Sequence, residues 1–330
     1  MSHIGWGILG TAKIAVEQVI PAIQGSRRGR VVAIASRSRE RAVQAAGRFD
    51  VARACDSYEG LLTDPQVDAI YNPLPNHLHV PWSIRALEAG KHVLCEKPLA
   101  PTAAEAQMLV EAGRRHPRLK LMEGFMYRHH PQWLAAQRLV QEGRIGELRA
   151  VQTAFFYFDR DPASICNQAQ LGGGAMLDIG CYPVSLSRWL FDSEPRAVTA
   201  QVERDPQFQV DRLVSGLMTF GTGQASFVVS TQLAPYQHVQ ILGTSGRIEI
   251  EIPFNAPSDR PTRIWHQTDA GLHEISFPAC NQYGLQSDLF AAAILDSQPV
   301  PTPIEDGLVN MQVIEALLRA GRTGHWERVS

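Results

Sequence analysis

The chain of 330 residues is poor in cysteine and lacks any disulfide or metal-binding pattern. Its five cysteines are an odd number, and no two of them have CxxC spacing. This is typical of reduced thiols rather than of a disulfide framework. Eleven histidines are present, but they form no HExxH motif and no Cys/His ligand set. The sequence therefore predicts no disulfide bonds and no catalytic metal.

Long apolar runs, excess charge and a leader segment are also missing. No apolar run approaches the roughly 18 residues that cross a bilayer. The formal net charge of -2 gives no general attraction to nucleic acid or to an anionic membrane. An apolar strand pattern begins at Ile4, without a basic and long apolar leader before it. We therefore expect a cytoplasmic protein with neither nucleic acid nor membrane as a partner.

Two kinds of pattern follow each other along the chain. Up to residue 124, short apolar strand patterns alternate with helical ones, which is typical of a doubly wound parallel sheet. Beyond it, strand patterns joined by glycine turns dominate, which indicates a mostly antiparallel sheet. We predict an α/β protein with a Rossmann-type dinucleotide-binding domain over residues 1–124. An α+β domain with a large open-faced sheet is predicted over residues 125–330.

The end of the first strand pattern resembles a dinucleotide-binding turn. The usual fingerprint is GxGxxG between a strand and a helix, where small residues let the backbone approach a pyrophosphate. A literal match, Gly5-x-Gly7-x-x-Gly10, lies inside the strand pattern, so we prefer the degenerate register Gly10-x-Ala12-x-x-Ala15. A tight turn into a helix would leave the same pattern. The residues predicted to contact the cofactor here are Gly10, Thr11, Ala12, Lys13 and Ile14.

The second strand pattern ends without the Asp or Glu that usually binds the ribose 2′-hydroxyl of NAD. Ser36, Arg37, Arg39 and Arg41 follow it instead. An arginine can pair with a 2′-phosphate through its planar fork, and the serine hydroxyl can donate a hydrogen bond. A solvated arginine at a helix start is the alternative. The sequence therefore favours NADP over NAD as the cofactor.

Three further segments carry a family resemblance. They are the loop from Tyr71 to His79, the stretch Cys95-Glu96-Lys97-Pro98-Leu99, and the glycine-rich run from Gly172 to Tyr182. With them, nearly the whole chain resembles the Gfo/Idh/MocA oxidoreductases. Position 182 is tyrosine, where many members have histidine. In this the chain resembles the branch of glucose–fructose oxidoreductase, xylose dehydrogenase and dihydrodiol dehydrogenase.

The resemblance implies an NADP-dependent dehydrogenase or reductase that acts on a CH–OH group. Its substrate would be a sugar, a polyol or a related cyclic alcohol or carbonyl. One alternative is a trans-dihydrodiol or another non-sugar carbonyl. A non-catalytic NADP-binding regulatory protein is the other. The family's second domain commonly pairs subunits through its open sheet face, so we expect a homodimer or homotetramer.

The resemblance also places Lys97 near the nicotinamide and the reacting carbon. An ammonium there can polarise a carbonyl or stabilise an alkoxide, and the proline after it favours an extended backbone at the lysine. Asp178 and Tyr182 are four residues apart, hence on one helical face. A nearby Lys97 cation would lower the pKa of Tyr182 from about 10, so that the phenol could shuttle a proton. Asp178 would bind a substrate hydroxyl or orient Lys97.

Two of these residues have simpler interpretations. Tyr182 could merely pack its helix, and Asp178 could be a helix N-cap. Arg128 could bind substrate oxygens or the cofactor, or form an interdomain ion pair. Tyr157, in the aromatic strand 155–158, and Tyr283, before a long helix, are weaker candidates for the substrate pocket.

The loop from Tyr71 to His79 resembles the family's third cofactor loop, which runs beside the nicotinamide ribose. Its residues predicted to contact the cofactor are Leu74, Asn76 and His79, and Glu96 and Lys97 join them from the next strand. Asn76 could instead cap the following helix. His79 could instead be an ordinary residue on a helix face.

Overall fold

The computed structural model describes residues 3–329, which contain the following elements. The strands are β1 (Ile4–Leu9), β2 (Gly29–Ala35), β3 (Arg53–Cys55), β4 (Ala69–Asn72), β5 (His92–Cys95), β6 (Leu121–Glu123), β7 (Leu148–Phe158), β8 (Ala197–Arg204), β9 (Asp211–Thr219), β10 (Gln224–Ser230), β11 (Gln232–Gly243), β12 (Gly246–Ile250), β13 (Thr262–Thr268), β14 (Gly271–Phe277) and β15 (Glu327–Arg328). The α-helices are α1 (Ile20–Gln24), α2 (Arg39–Arg48), α3 (Tyr58–Leu62), α4 (His79–Glu88), α5 (Ala103–Arg115), α6 (Pro131–Gln141), α7 (Cys181–Phe191), α8 (Gln282–Leu295) and α9 (Ile304–Thr323). π-Helical turns, Ala15–Val19 and Met176–Gly180, precede α1 and α7.

The chain forms two compact units. Unit 1 contains the residues up to Met126 together with Asn281–Leu308, and unit 2 contains Tyr127–Cys280 and the residues from Val309 onward. The division predicted from the sequence has a single boundary after residue 124, whereas the structure returns Asn281–Leu308 to unit 1. The physical reason is packing, since Phe290 of α8 lies against Trp6 of β1 with ring centroids 5.6 Å apart.

Unit 1 is built on a parallel sheet of six strands in the order β3-β2-β1-β4-β5-β6. Its core is continuous and apolar; Trp6, Ile8, Ile34 and Leu94 are fully buried. This confirms the predicted doubly wound, Rossmann-like sheet. The short strand β3 was not predicted, because it has only three residues and no buried apolar alternation.

Unit 2 contains a nine-stranded sheet in the order β14-β13-β12-β11-β7-β10-β9-β8-β15. Its pairs are antiparallel except for β7 with β10, which run parallel. The predicted, mostly antiparallel sheet is thus confirmed. Alternation along β7 separates its aromatic residues, since Phe155 is buried whereas Phe156 packs against Tyr236 of β11 at 6.2 Å.

Helix starts in unit 1 follow local signals in the sequence. Ser38, Ser57 and Thr102 cap α2, α3 and α5, each accepting a hydrogen bond from an amide three residues on. Within residues 3–329, no helix has both the length and the apolarity to cross a membrane.

Candidate active site

The carboxyl ends of the strands in unit 1 bring the predicted cofactor residues to one edge of the sheet. Gly10 follows β1, Ser36 follows β2, and Glu96 follows β5. The strand order reverses between β1 and β4, and open α/β sheets bind ligands at such a switch point. Leu74, after β4, lies beside the Gly10 turn. A Cβ on Gly10 would be 3.2 Å from the Cδ2 atom of Leu74.

The Gly10 turn has the conformation that a phosphate cradle requires. Gly10 has φ +87°, a left-handed conformation that glycine adopts without strain, and its amide donates to the Ala35 carbonyl at 2.7 Å. Gly5 and Gly7 lie inside β1, where a Cβ on Gly5 would be 2.0 Å from the Gln66 carbonyl oxygen. The turn after β1 therefore begins at Gly10, in the degenerate register, and its contact with a pyrophosphate stays a prediction.

The end of β2 presents a buried serine and an exposed arginine. Ser36 is 6% exposed, and its hydroxyl accepts from the Ser38 amide at 3.3 Å. Arg37 hydrogen-bonds to Tyr58, whose hydroxyl would lie 3.6 Å from a Cβ on Gly10. Burial raises the pKa of Tyr58, and the Arg37 cation opposes that rise. Tyr58 was not predicted from the sequence, because no local motif connects it with the Gly10 turn.

A cleft of about 380 Å³ adjoins this edge. Basic side chains dominate the charged part of its lining, with Lys13, Arg41 and Arg48 against a single carboxylate, Glu17. Two of these cations, Lys13 and Arg41, were predicted from the sequence to contact the cofactor. The charge of the cleft suits a phosphate group.

The loop after β4, predicted to contact the cofactor, is shaped by Asn72, for which the sequence predicted no role. The Asn72 amide donates to the His79 carbonyl and to the Ser83 hydroxyl, each at 3.0 Å, and its oxygen accepts from the Leu74 amide at 3.3 Å. Asn76 lies in a 3₁₀ turn, and α4 starts after Leu78 without a side-chain cap. Asn76 is therefore not the N-cap residue of α4 itself, which is Leu78.

His79 lies beneath the turn that carries Lys97. Its side chain is buried, and its Nδ1 atom is 2.8 Å from the carbonyl oxygen of Pro98. The peptide bond between Lys97 and Pro98 is cis. Burial lowers the pKa of His79 to about 4, so the ring is neutral at pH 7. The ring supports this turn, and its predicted contact with the cofactor stays a prediction.

Lys97 has two of the predicted site residues as neighbours within unit 1. The Lys97 amide donates to Glu96 Oε2 at 3.3 Å, and the Tyr71 hydroxyl donates to Glu96 Oε1 at 2.7 Å. Burial raises the pKa of Tyr283, with a smaller contribution from the Glu96 charge, while Lys97 lowers it. The structure thus brings Tyr283 close to Glu96 and Lys97, from which it is far apart in the sequence.

In unit 2 the glycine-rich run is held by Asp211, which the sequence analysis also missed. Asp211 Oδ2 accepts from the Met176 amide at 2.6 Å, at the start of the π-helical turn before α7. Gly174 has φ +119°, and a Cβ there would lie 2.2 Å from Asp211 Oδ1. Asp178 is inside this turn rather than before it, so its alternative role as the N-cap is wrong.

Asp178 hydrogen-bonds to Tyr157, and both were predicted to contact substrate. The Tyr157 hydroxyl donates to Asp178 Oδ2. Burial raises the pKa of Tyr157, and the Asp178 carboxylate raises it further. The predicted α-helical i, i+4 relation of Asp178 and Tyr182 is changed, because Asp178 lies in a π-helical turn and Tyr182 in α7.

Tyr182 lies in an aromatic cluster of unit 2. It is 4% exposed, and its ring centroid lies 5.0 Å from that of Phe254, 5.6 Å from Phe155 and 5.7 Å from Tyr127. Pairs at these separations stabilise the packing of the ring. The body of the side chain is therefore fixed, as a positioned acid or base requires.

Arg128 is buried against α7. Its guanidinium donates to the Ser185 hydroxyl at 2.7 Å and to the Ser185 carbonyl at 3.1 Å. The Tyr127 hydroxyl lies 2.9 Å from the same serine hydroxyl. These contacts fix Arg128 to the helix that carries Tyr182, a role that neither predicted alternative included.

Comparisons with known proteins show the family to which the chain belongs. Residues 4–125 match the family described as an oxidoreductase family with an NAD-binding Rossmann fold, and residues 133–249 match the GFO/IDH/MocA C-terminal domain. An oxidoreductase from Rhizobium meliloti is 44% identical, with all of both chains covered. An NADP-dependent D-xylose 1-dehydrogenase from Haloferax volcanii is 35% identical over 97% of this chain and 98% of its own.

The fold is shared with an enzyme of solved structure. A 3-ketoreductase from Actinomadura kijaniata, crystallised with NADP and TDP-benzene, superposes with a TM-score of 0.90. It is 31% identical, and the alignment covers 97% of this chain and 98% of that one.

Proposed function

Because the chain belongs to the Gfo/Idh/MocA oxidoreductase family, we propose that it transfers hydride between NADP and a sugar, polyol or related cyclic alcohol or carbonyl. The observation that carries this proposal is the position of Lys97. It follows β5 at the sheet edge where the Gly10 turn follows β1. A cation at this edge can stabilise the alkoxide that forms or disappears during hydride transfer.

The choice of NADP is supported by the end of β2. Ser36, Arg37 and Arg41 stand where a NAD enzyme usually has a carboxylate. The Haloferax relative is named as an NADP enzyme, and the Actinomadura structure contains NADP. When bound, the nicotinamide supplies the chemistry of accepting or donating the hydride.

The remaining roles are assigned to single side chains. Lys97 holds the reacting oxygen, and Tyr182 moves the hydroxyl proton. Asp178, with Tyr157 donating to one of its oxygens, binds a further substrate hydroxyl. A carboxylate and a phenol in contact are groups that suit a polyhydroxylated substrate better than a hydrocarbon ring.

The test is a coupled change in absorbance at 340 nm with purified protein, NADP or NAD, and a panel of aldoses, inositols, keto sugars and aromatic trans-dihydrodiols. We expect turnover with NADP and a sugar. Turnover of the dihydrodiols alone would contradict a sugar substrate and favour the non-sugar alternative. NADP binding without any turnover would favour a regulatory protein.

Two substitutions test the assigned roles. Lys97→Ala should lower kcat by about 10²–10³-fold, and Tyr182→Phe by about 10²–10⁴-fold. Lys120→Ala is a matched control, since Lys120 lies before β6 at the opposite end of the sheet, and it should keep full activity. Full activity in Lys97→Ala would refute the mechanism.

We also propose a homodimer or homotetramer formed through the sheet of unit 2. Support comes from large apolar side chains exposed on its strands, including Phe158 at 62% and Tyr236 at 53%. Exposed apolar surface of this kind commonly marks a protein interface. A cytoplasmic location completes the proposal, supported by five cysteines that are all free thiols within the described residues.

A further inference from the structure

We propose that Tyr71 and Glu96 form a positioning pair that fixes the place and the charge of Lys97. Tyr71 would then be a further residue on which hydride transfer depends, acting through Glu96 rather than on the substrate. This inference rests on the proposed function, because that function assigns Lys97 to the reacting oxygen.

Both oxygens of the Glu96 carboxylate are engaged within unit 1. Oε1 accepts from the Tyr71 hydroxyl at 2.7 Å, and Oε2 accepts from the Lys97 amide at 3.3 Å. Tyr71 is fully buried, and Glu96 is 8% exposed. A carboxylate withdrawn from water to this degree stays ionised only when hydrogen bonds and a nearby cation compensate for its lost hydration.

The surrounding strands leave room for this carboxylate and little else. A Cβ on Gly124, just after β6, would lie 3.3 Å from Glu96 Oε1 and 3.2 Å from the Cys95 carbonyl oxygen. It would also lie 3.6 Å from the side-chain nitrogen of Gln286, a fully buried residue of α8. Glu96 is therefore enclosed by the ends of β5 and β6 and by α8, which limits its rotamers.

The titratable groups around Glu96 come from four elements, β4, β5, β6 and α8. Burial raises its pKa, while the Lys97 cation and the Tyr71 hydroxyl lower it. Tyr283 of α8 interacts with the same carboxylate, and Cys95 and Glu123 lie at the ends of β5 and β6. Lys97 and Tyr71 are the two groups that favour the ionised form.

Removing the Tyr71 hydroxyl should consequently shift the protonation of Glu96 to higher pH. A protonated Glu96 no longer attracts the Lys97 ammonium by charge, and it holds the Lys97 amide less firmly. Tyr71→Phe isolates this effect, because it deletes one oxygen atom and keeps the buried ring.

The pair can be tested without a substrate, since the chain contains only four lysines: Lys13, Lys91, Lys97 and Lys120. Reductive methylation with carbon-13 formaldehyde gives each lysine an NMR signal and keeps its charge. Lys97→Arg identifies the signal of Lys97. In the wild type we expect the chemical shift of this signal to change twice with pH. The larger change is the titration of Lys97 itself, and a smaller step occurs at the pH where Glu96 takes up a proton.

The two variants should change these steps differently. Glu96→Gln should abolish the smaller step and lower the midpoint of the Lys97 titration by about 0.5–1 pH unit. Tyr71→Phe should move the smaller step to higher pH by a similar amount. The signals of the other three lysines, recorded in the same spectra, should coincide between wild type and variants.

Two results would overturn the proposal. One is a smaller step that is missing in the wild type or unmoved in a folded Tyr71→Phe protein. If Tyr71→Phe does not fold, the Glu96→Gln spectrum decides, and an unchanged Lys97 midpoint is the second refuting result.

A parallel activity measurement separates this inference from the proposed function. In an active enzyme, the acid limb of the pH profile of kcat should move to higher pH in Tyr71→Phe, with the KM for NADP unchanged. A uniform loss of kcat at every pH would show a role in packing alone and contradict the proposal. Coupled NMR titrations without turnover of any substrate would refute the proposed function and leave the positioning pair intact.

Discussion

Two arginines near the end of β2 differ in their partners although they lie two positions apart. Arg37 hydrogen-bonds to Tyr58, whose hydroxyl lies close to the Gly10 turn. Arg39 instead forms an ion pair with Asp56 at 3.3 Å, with both side chains exposed to solvent. Of the two, Arg37 is thus the one bonded to a residue beside the Gly10 turn.

We predict that Arg37→Leu weakens the binding of NADPH about 10–100-fold while it leaves NADH binding nearly unchanged. The physical reason is the loss of a charged hydrogen-bond donor to the 2′-phosphate, which NADH does not have. Fluorescence titration of the purified protein with each cofactor measures both constants.

Arg39→Leu is the matched control, because it makes the same chemical change in the same segment. It should leave both affinities within about a factor of two, as expected for the loss of an exposed ion pair. An equal loss of NADPH and NADH affinity in Arg37→Leu would contradict a role in recognising the 2′-phosphate.

At the scale of elements, the start of α7 depends on a contact between two distant segments. Asp211 opens β9 and accepts from the Met176 amide, and Gly174 provides the space for its carboxylate. The π-helical turn that contains Met176 and Asp178 continues directly into α7, which contains Tyr182. The position of two predicted site residues therefore depends on the fit between Gly174 and Asp211.

We predict that Gly174→Ala lowers the free energy of unfolding by about 1–3 kcal/mol more than Gly271→Ala does. Both glycines have similar left-handed backbones, with φ +119° and +122°. A Cβ at Gly174 would lie 2.2 Å from Asp211 Oδ1, whereas a Cβ at Gly271 meets nothing within 4 Å. The difference thus reports the steric contact alone.

Urea denaturation of the two variants beside the wild type measures this difference. Gly174→Ala should also reduce turnover, since the turn before α7 must shift. Equal destabilisation by the two substitutions would mean that the Asp211 contact adapts without cost.

At the scale of the whole molecule, three buried histidines make stability depend on pH. Burial lowers the pKa of His79, His129 and His130 to about 4. An unfolded histidine has a pKa of about 6.5, so between pH 6.5 and 4 the unfolded state binds more protons. The contribution is complete above pH 6.5 and is lost as the pH falls.

We therefore predict that the free energy of unfolding decreases from pH 6.5 to pH 4, by roughly 1–3 kcal/mol for each buried histidine. Burial raises the pKa of Glu96 and Asp211, and these two carboxyls act in the opposite direction. Urea denaturation at several pH values measures the slope. His79→Gln should flatten it, and an identical slope in wild type and variant would refute the contribution of His79.

The proposed assembly gives a second prediction at this scale. Replacing Phe158 and Tyr236 together by arginine should convert the oligomer to a monomer, because charge on that apolar surface opposes association. Light scattering at micromolar concentration measures the mass. Met108→Arg, at a position 55% exposed in unit 1, is the control and should keep the wild-type mass. A monomeric wild type would refute the assembly.

The sequence by itself determined the features that depend on neighbouring residues. The β-α rhythm of unit 1, the capping of its helices and the Gly10 turn all follow from patterns a few residues long. So does the place of Lys97 after a short buried strand, and family membership followed from the segments around Lys97 and Tyr182. These patterns involve residues that are close together in the sequence. Burial and turn geometry impose them on the order of residues, so the sequence alone predicts them.

Only the tertiary structure decided which distant groups meet. Asp211 reaches an amide 35 residues away, and Tyr71 meets a carboxylate 25 residues on. The return of α8 to unit 1 and the parallel pairing of β7 with β10 likewise join segments with no shared local pattern. Such contacts form because buried polar groups must find partners and apolar faces must be covered once the chain has folded. Neither requirement specifies a particular partner until the strands and helices are in place.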